Sequence, residues 1–428
     1  MTNPRLRLLF CDHLNLARGK YLPASKMHDG ASRFSQSTFA LTYDKDLVPS
    51  PGSKMLEGLG DMQAIYKEAD FRPGWEPNTQ VVIGELFDSD GVALPMCGRA
   101  ALKRAINAWS EMGLTPKLGL ELEAFAFVRD ADGKLQPYDT PGAYVYGTGP
   151  SADPKRFVDA IWYQAEASGF SLECATTEFD SPQFEFTLIY DDALKAVDDI
   201  FLFRIMAKEV AANWDVHLTF MPKPILTKGG SGVHINVSFD DSAGHNVLAD
   251  PAGGRAMTDL GKACVAGLMH HHAGLAGIVA PTTNSYQRLK PASMSGYWKN
   301  WGIDHRGVTT RISAENGKKA RIEHRMGDGA ANPYVLAAAT LQAAHLGVIN
   351  KYPLPAAETA DCLGEHDATE GVAENLSGAL DALEADKSLC AAIGETLVAN
   401  HIAIKRDEVK KTAEFTGDAL RDFYIHYV

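Results

Sequence analysis

The spacing of apolar and polar residues changes period several times along this chain. Val233, Ile235, Val237 and Phe239 alternate with His234, Asn236 and Ser238, the period of a strand with one core face and one polar face. "LGLELEAFAF" at 118–127 and "PQFEFTLIY" at 182–190 alternate in the same way. "GRAALKRAINAWSEMGL", from residue 98, instead carries apolar residues at three- and four-residue intervals and stops at glycine, as a helix does. Residues 153–169, about 193–212 and about 255–279 read as further helices, and the last 90 residues are mostly helical, with "NPYVLAAATLQAAHLGVI" and "GALDALEAD". Before residue 95, "LRLLFCDHL", "STFALTY" and "TQVVIGELF" are short β-rich runs between Gly, Pro, Asp and Ser clusters. The pattern predicts an α+β protein: a small β domain over 1–95 and a large α+β domain over 96–428.

Composition narrows the field. The chain has 428 residues, 45% apolar and 22% charged, the proportions of a globular protein. Its 41 basic and 54 acidic residues leave a formal charge of −13, which argues against broad attraction to nucleic acid or an anionic membrane. Six scattered cysteines without a CxxC pair or a leading signal peptide predict a reduced, cytoplasmic protein. No run approaches the roughly 18 apolar residues of a membrane span.

The chemistry lies on the polar rows. In "RIEHRMGDGAANPY", Arg321, Glu323 and Arg325 occupy every second position and share one face of a strand. Glu121 and Glu123 do the same, about 7 Å apart, where two charges repel by roughly 2 kcal/mol at an effective dielectric of 20. Glu178 and Glu185 flank Pro182, where a turn can bring them together. Each row has a plain structural reading: a solvated strand edge, a hydrogen-bonded histidine, a surface ion-pair ladder. Together, Glu121, Glu123, Glu178, Glu185, His234 and Glu323 form an oxygen-rich set with one imidazole, suited to Mg²⁺ or Mn²⁺. With Arg288, Arg306, Arg311, Arg321 and Arg325 it meets the needs of phosphoryl transfer. Neither a GxxxxGK[ST] loop nor a kinase signature is present. The tract His270–His272 reads as the end of a core-facing helix, because one helix points such neighbours to different faces.

Five motifs, "GLELEAF", "EFDSPQFEF", "GGSGVHINVSF", "PTTNSYQRLKP" and "ARIEHRMGDGAANPYVLAAATLQAA", stand in the order of the glutamine synthetase family, which the chain resembles over nearly its full length. The resemblance implies an N-terminal β-grasp domain, a catalytic domain on a curved antiparallel sheet, and hexameric rings stacked as a dodecamer with active sites between subunits. It implies one metal held by Glu123, Glu178 and Glu185 and another by Glu121, His234 and Glu323. Arg288 and the loop glycine Gly230 would meet the substrate glutamate, and Arg325 would steady both glutamate and the transferred phosphoryl group. Arg306, Arg311 and Arg321 resemble the phosphate-facing arginines, and Glu173, Ser238 and Lys318 fall at ATP-contact positions. The implied reaction forms γ-glutamyl phosphate from glutamate and ATP, which an amine then converts to an amide.

Three departures bear on the amine. Met294 stands where ammonia-using members carry a flap glutamate, Gly229 replaces an asparagine, and Asn236 replaces a second histidine. A methionine packs on methylenes, so the set resembles the γ-glutamylmethylamide and γ-glutamylpolyamine branch, with Tyr144 or Tyr146 walling the amine pocket and Glu178 or Asp180 as its base. A true glutamine synthetase, a guanido phosphotransferase and an inactive relative are the alternative readings.

Overall fold

A computed structural model describes residues 4–253 and 257–428. Its centre is a ten-stranded sheet organised on the long strand Thr115–Arg129. In order across the sheet run Leu172–Thr177, Gln183–Leu188, Thr115–Arg129, Val233–Asp240, Ile322–His324, Thr310–Ile312 and Trp301–Ile303. Neighbours along this path are antiparallel except the last pair, which is parallel. Alternation decides the two faces. Leu118, Leu120, Leu122, Val233, Ile235 and Val237 enter the main core, and the residues between them face the other way.

That core is closed by the helices Gly98–Ser110, Ala193–Ala212 and Pro333–Asn350. The last begins two residues after Gly329–Ala331 because Asn332 caps it, its side chain accepting from the Tyr334 and Val335 amides, with proline at the first helical position. Where it crosses Asp259–His270, two glycines let the backbones touch. A Cβ on Gly267 would lie 2.1 Å from the Ala343 carbonyl oxygen, and one on Gly347 2.2 Å from that of Ala263.

The N-terminal region holds two small sheets. One orders Ala17–Pro23, Arg5–Cys11, Thr79–Ile83 and Arg72–Pro73; the other orders Ala31–Ser35, Asp61–Ile65 and Glu85–Phe87. Strand Arg5–Cys11 is buried on both faces: Leu6, Leu8 and Phe10 enter a satellite core, while Leu9 and Cys11 join the main one.

Three expectations shift. "STFALTY" is not a strand but contains a 3₁₀ turn, Gln36–Ala40. Adjacent Phe39 and Ala40 within it are both fully buried. The helix expected over 153–169 starts later, at Phe157, after Arg156 takes a left-handed φ of 61°; it ends before Gly169, at φ +77°. The one expected over 255–279 is two, Asp259–His270 and His272–Val279; residues 255 and 256 lie outside the described residues. In the histidine tract, His271 and His272 are buried, His271 Nδ1 sits 2.6 Å from Asp386 and His272 Nε2 3.1 Å from the Tyr297 carbonyl. No helix among the described residues is long and apolar enough to cross a membrane.

The glycine crossing gives a contrast to measure. Gly347→Ala should lower unfolding free energy by about 1–3 kcal/mol through overpacking. Gly60→Ala, where a Cβ meets nothing within 4 Å, should be neutral or stabilise by up to about 1 kcal/mol. Equal urea midpoints for the two variants would contradict this packing.

Candidate active site

Strand register assembles the site. Glu123 lies opposite Glu185, Glu121 opposite His234, and Glu323 between Asn236 on one side and Arg311 on the other. Cross-strand partners project from the same face, so five strands deliver their polar rows to one surface. Glu178 joins them through the turn before Gln183–Leu188, closed by Gln183 N–H to the Asp180 carbonyl at 2.8 Å and Glu178 N–H to the Gln183 carbonyl at 3.0 Å.

Two groups result, Glu123 with Glu178 and Glu185, and Glu121 with His234 and Glu323; within each, the ligand atoms lie within 4.8 Å of one another. These are the two triads the family resemblance implied. Between them stands His234, with Nδ1 3.1 Å from Glu121 and Nε2 3.5 Å from Glu123. Glu123 accepts the Gly232 amide at 2.8 Å and the Gln183 side-chain amide at 3.2 Å. Arg311 donates to Glu323 at 3.0 Å, and Arg325 donates to the other oxygen of the same carboxylate. Asn236 donates to Glu121 at 3.0 Å and accepts from Arg321 at 3.1 Å.

Crowding splits the proton affinities. Burial and the charges of Glu121, Glu123 and Glu178 push Glu185 up to about 9. Burial together with the Glu123 charge also raises Glu178. Burial works against ionised Glu121 too, but the hydrogen bond and charge of His234 and the Asn236 amide outweigh it and bring that carboxyl down to about 2. For Glu323, Arg325 and His234 likewise outweigh burial and lower it. A triad of three carboxylates and one of two carboxylates with an imidazole are donor sets for a hard divalent cation. A carboxyl forced to keep its proton by its neighbours' charge is relieved by one, so the residues fit such an ion.

A cavity of about 700 Å³ opens over this face. All six acidic and histidine ligands border it, as do Glu173, Ser238, Lys318, Arg306, Arg311, Arg321 and Arg325. The row of Arg321, Glu323 and Arg325 therefore faces one space. Arg311 Nε and Arg325 Nε are buried with no hydrogen-bond partner among the described residues.

Of the residues expected for glutamate and the amine, Arg325, Glu178 and Tyr146 border this cavity, whereas Arg288, Gly230, Met294, Tyr144 and Asp180 do not. Arg288 is buried, its guanidinium donating to the Met326 and Arg325 carbonyls at 2.8 and 3.0 Å. Gly230 packs on it so closely that a Cβ would lie 2.7 Å from Arg288 Cγ. Met294 is 46% exposed and Tyr144 77% exposed, and neither borders the cavity, although Tyr146 does. Asp180 accepts the Gly229 amide at 2.5 Å.

Lys117, Thr187 and Tyr190 also border the cavity and were not singled out by the sequence reading. The signal for Lys117 was the same alternation: positions 117, 119, 121 and 123 share one face. Tyr190 lies beyond its strand and packs over Gly119, where a Cβ would sit 3.2 Å from the Tyr190 Cβ. No local pattern marks that contact.

The fold and the site together define a class, and the comparisons name it. The family model "Glutamine synthetase, catalytic domain" matches residues 95–424; the chain belongs to the glutamine synthetase family of ligases. It is similar to the glutamine synthetase of Pyrococcus abyssi, 30% identical over 421 residues covering 96% of this chain and 91% of that protein. It is similar also to that of Halobacterium salinarum, 29% identical over 441 residues covering 98% and 93%. Among solved structures, a GmaS in complex with ADP is 26% identical, with a TM-score of 0.85 over 99% of this chain and 97% of its own. A novel glutamine synthase homolog, 23% identical, shares the fold with a TM-score of 0.86 over 100% and 99%.

The raised Glu185 sets a pH dependence. Its carboxyl binds a proton more tightly folded than unfolded, so its contribution to stability is present below about 4.5 and falls away as pH rises toward about 9. The depressed Glu121 acts oppositely, but its contribution is lost only as pH falls from about 4.5 toward 2. Metal-free protein should therefore lose melting temperature between pH 6 and 8.5, and saturating Mg²⁺ should restore more at 8.5 than at 6. Glu185→Gln should flatten the metal-free profile. A Mg²⁺ effect that shrinks toward high pH would contradict the cation assignment.

Proposed function

We propose that this chain is an ATP-dependent glutamate–amine ligase, with an alkylamine or polyamine as acceptor. The observation that carries the reading is the joining of two cation-ready triads and four arginines around one cavity. Mg²⁺ or Mn²⁺ at the triads, when bound, would neutralise the carboxylates and the phosphate oxygens together.

The chain's own residues then divide the work. Arg306, Arg311 and Arg321, with Lys318, Glu173 and Ser238, face the nucleotide. Arg325, fixed on Glu323 at the border of the cavity, would steady glutamate and the transferred phosphoryl group. Fixed donors aimed at oxygens that gain charge in flight lower the barrier without reorganising. Glutamate's γ-carboxylate attacks the γ-phosphorus, releasing ADP and forming γ-glutamyl phosphate. The neutral amine displaces phosphate, and its proton passes to Glu178 or Asp180. Arg288, beneath Gly230, holds the α-carboxylate in this reading.

Support for an alkylated acceptor is twofold: Met294 in the flap position and the likeness to GmaS, the γ-glutamylmethylamide synthetase. The curated relatives bear the name glutamine synthetase, which favours ammonia as the second reading. A division at residues 95 and 96 into β-grasp and catalytic domains, assembly into hexameric rings, and a cytoplasmic setting belong to the same proposal.

Phosphate release from ATP and glutamate should be measured side by side with ammonium, methylamine, ethanolamine and putrescine. A carbon-bearing amine should give the highest kcat/KM. Dominance of ammonium would return the chain to plain glutamine synthesis, and release of phosphoguanidine from a guanidine substrate would overturn the ligase reading. Glu123→Gln should lower kcat by roughly 10²-fold or more with every amine, since it removes one charge from the triad of Glu123, Glu178 and Glu185.

A further inference from the structure

Asn236 touches both halves of the site, and the reaction as described gives it no task. It lies on strand Val233–Asp240 between Ile235 and Val237, which are buried in the main core. Its backbone is thereby fixed, and its side chain borders the cavity together with Glu121 and Arg321. The cross-strand partners of Asn236 are Gly119 on one side and Glu323 on the other. Glu121 lies opposite His234, and Arg321 precedes the strand that carries Glu323. Both are therefore diagonal neighbours of Asn236, on opposite sides of it and within reach of longer side chains.

One amide meets both at once. Its nitrogen donates to Glu121 Oε1 at 3.0 Å, and its oxygen accepts from Arg321 Nε at 3.1 Å. That orientation is forced, because an ionised carboxylate only accepts and a guanidinium only donates. Each partner is also held from its far side. Glu121 Oε2 lies 3.1 Å from His234 Nδ1 within the triad of Glu121, His234 and Glu323. Arg321 Nη1 donates to Glu315 at 2.7 Å and to Ser313 Oγ and the Lys319 carbonyl, each at 3.1 Å. A line of hydrogen bonds thus runs diagonally across the sheet from a cation ligand to an arginine, with Asn236 as its middle member. A leucine at 236 would serve neither neighbour and a carboxylate would repel Glu121, whereas a neutral imidazole offers the same one donor and one acceptor.

We propose that Asn236 is a positioning residue that couples a divalent cation on Glu121, His234 and Glu323 to the placement of Arg321 against the nucleotide phosphates. This rests on the reading of that triad and of Arg321 under Proposed function. A cation that draws in the Glu121 carboxylate pulls the amide along and, through it, Arg321 Nε. A phosphate that draws Arg321 pulls on Glu121 by the same two bonds. The coupling is reciprocal, as any linkage between two binding events must be.

The test is a double-mutant cycle on cation binding, read by calorimetry of Mg²⁺ into nucleotide-free protein. The four proteins are wild type, Asn236→Leu, Arg321→Met and the double variant. Loss of the Arg321 charge favours the cation through space in either background; only a link through residue 236 makes the size of that effect depend on Asn236. Without the amide, Arg321→Met should strengthen Mg²⁺ binding about fivefold more than it does with the amide present. Equal fold-changes in the two backgrounds would overturn the proposal. In turnover, Asn236→Leu should raise the KM for Mg²⁺–ATP about tenfold with the KM for amine unchanged. Asn236→His at pH 8, where the ring is neutral, should stay within about twofold of wild type. Equal losses in these two variants would overturn the donor–acceptor role. Should Asn236→Leu fail to fold, Asn236→Ala carries the same cycle. Absence of turnover by wild type with every amine would overturn the ligase reading, whereas the Mg²⁺ cycle needs no turnover, so the two failures are read apart.

Discussion

Like charge held at close quarters is the constraint around which this protein is organised. Left to itself, a cluster of Glu121, Glu123, Glu178 and Glu185 would spread into water. The sheet prevents this, because Glu123 and Glu185 are cross-strand partners and Glu121 is two residues from Glu123 on the same face. Moving one carboxylate away means breaking a ladder whose opposite face is the main hydrophobic core, where Leu120, Leu122 and Phe186 are almost wholly buried. The core's apolar burial opposes electrostatic relaxation, and a slip by one residue would turn every acid inward. Repulsion is instead relieved locally, through the proton on Glu185, the His234 ring and the arginines on Glu323.

The rest of the fold keeps those cations in place. Arg325 follows the short strand Ile322–His324, and its carbonyl is held by Arg288. Seven residues on, Asn332 both caps helix Pro333–Asn350 and donates to the Asp12 carbonyl at 2.8 Å. Asp12 in turn pairs with Arg18 at 2.7 Å. The arginine row is thereby anchored to the buried helix Pro333–Asn350 and to the N-terminal sheet. A second tie, Arg7 to Glu209 at 2.7 Å, fastens that sheet to helix Ala193–Ala212.

Period-two alternation carried most of what was legible in the sequence. It located the strands holding Glu121, Glu123, Glu185, His234 and Glu323, because one face of each had to be apolar. The motif resemblance then supplied the grouping into triads, which alternation cannot give: strand pairing is a long-range property, and nothing local says that Glu185 lies opposite Glu123. The same limit explains Tyr190, whose place over Gly119 depends on two strands packing. "STFALTY" misled for the opposite reason: β-rich composition suggested a strand, whereas the backbone closes a 3₁₀ turn over Gln36–Ala40.

Arg288 shows how motif and geometry complement each other. A motif can mark an arginine for a carboxylate but says nothing of what holds it. Here the guanidinium is packed under a loop that accepts only glycine at 230 and 232 without displacing it, and two of its donors go to the backbone carrying Arg325. A shift of Arg288 toward a ligand must therefore strain the Arg325 carbonyl, the Gly232 amide or both. The Gly232 amide is the donor that fixes Glu123, and Arg325 is the cation that fixes Glu323. Through these two bonds the residue that would grip the acid is mechanically joined to one carboxylate of each triad. If Arg288 holds the acid as proposed, acid binding and the arrangement of the cation ligands are linked through these bonds.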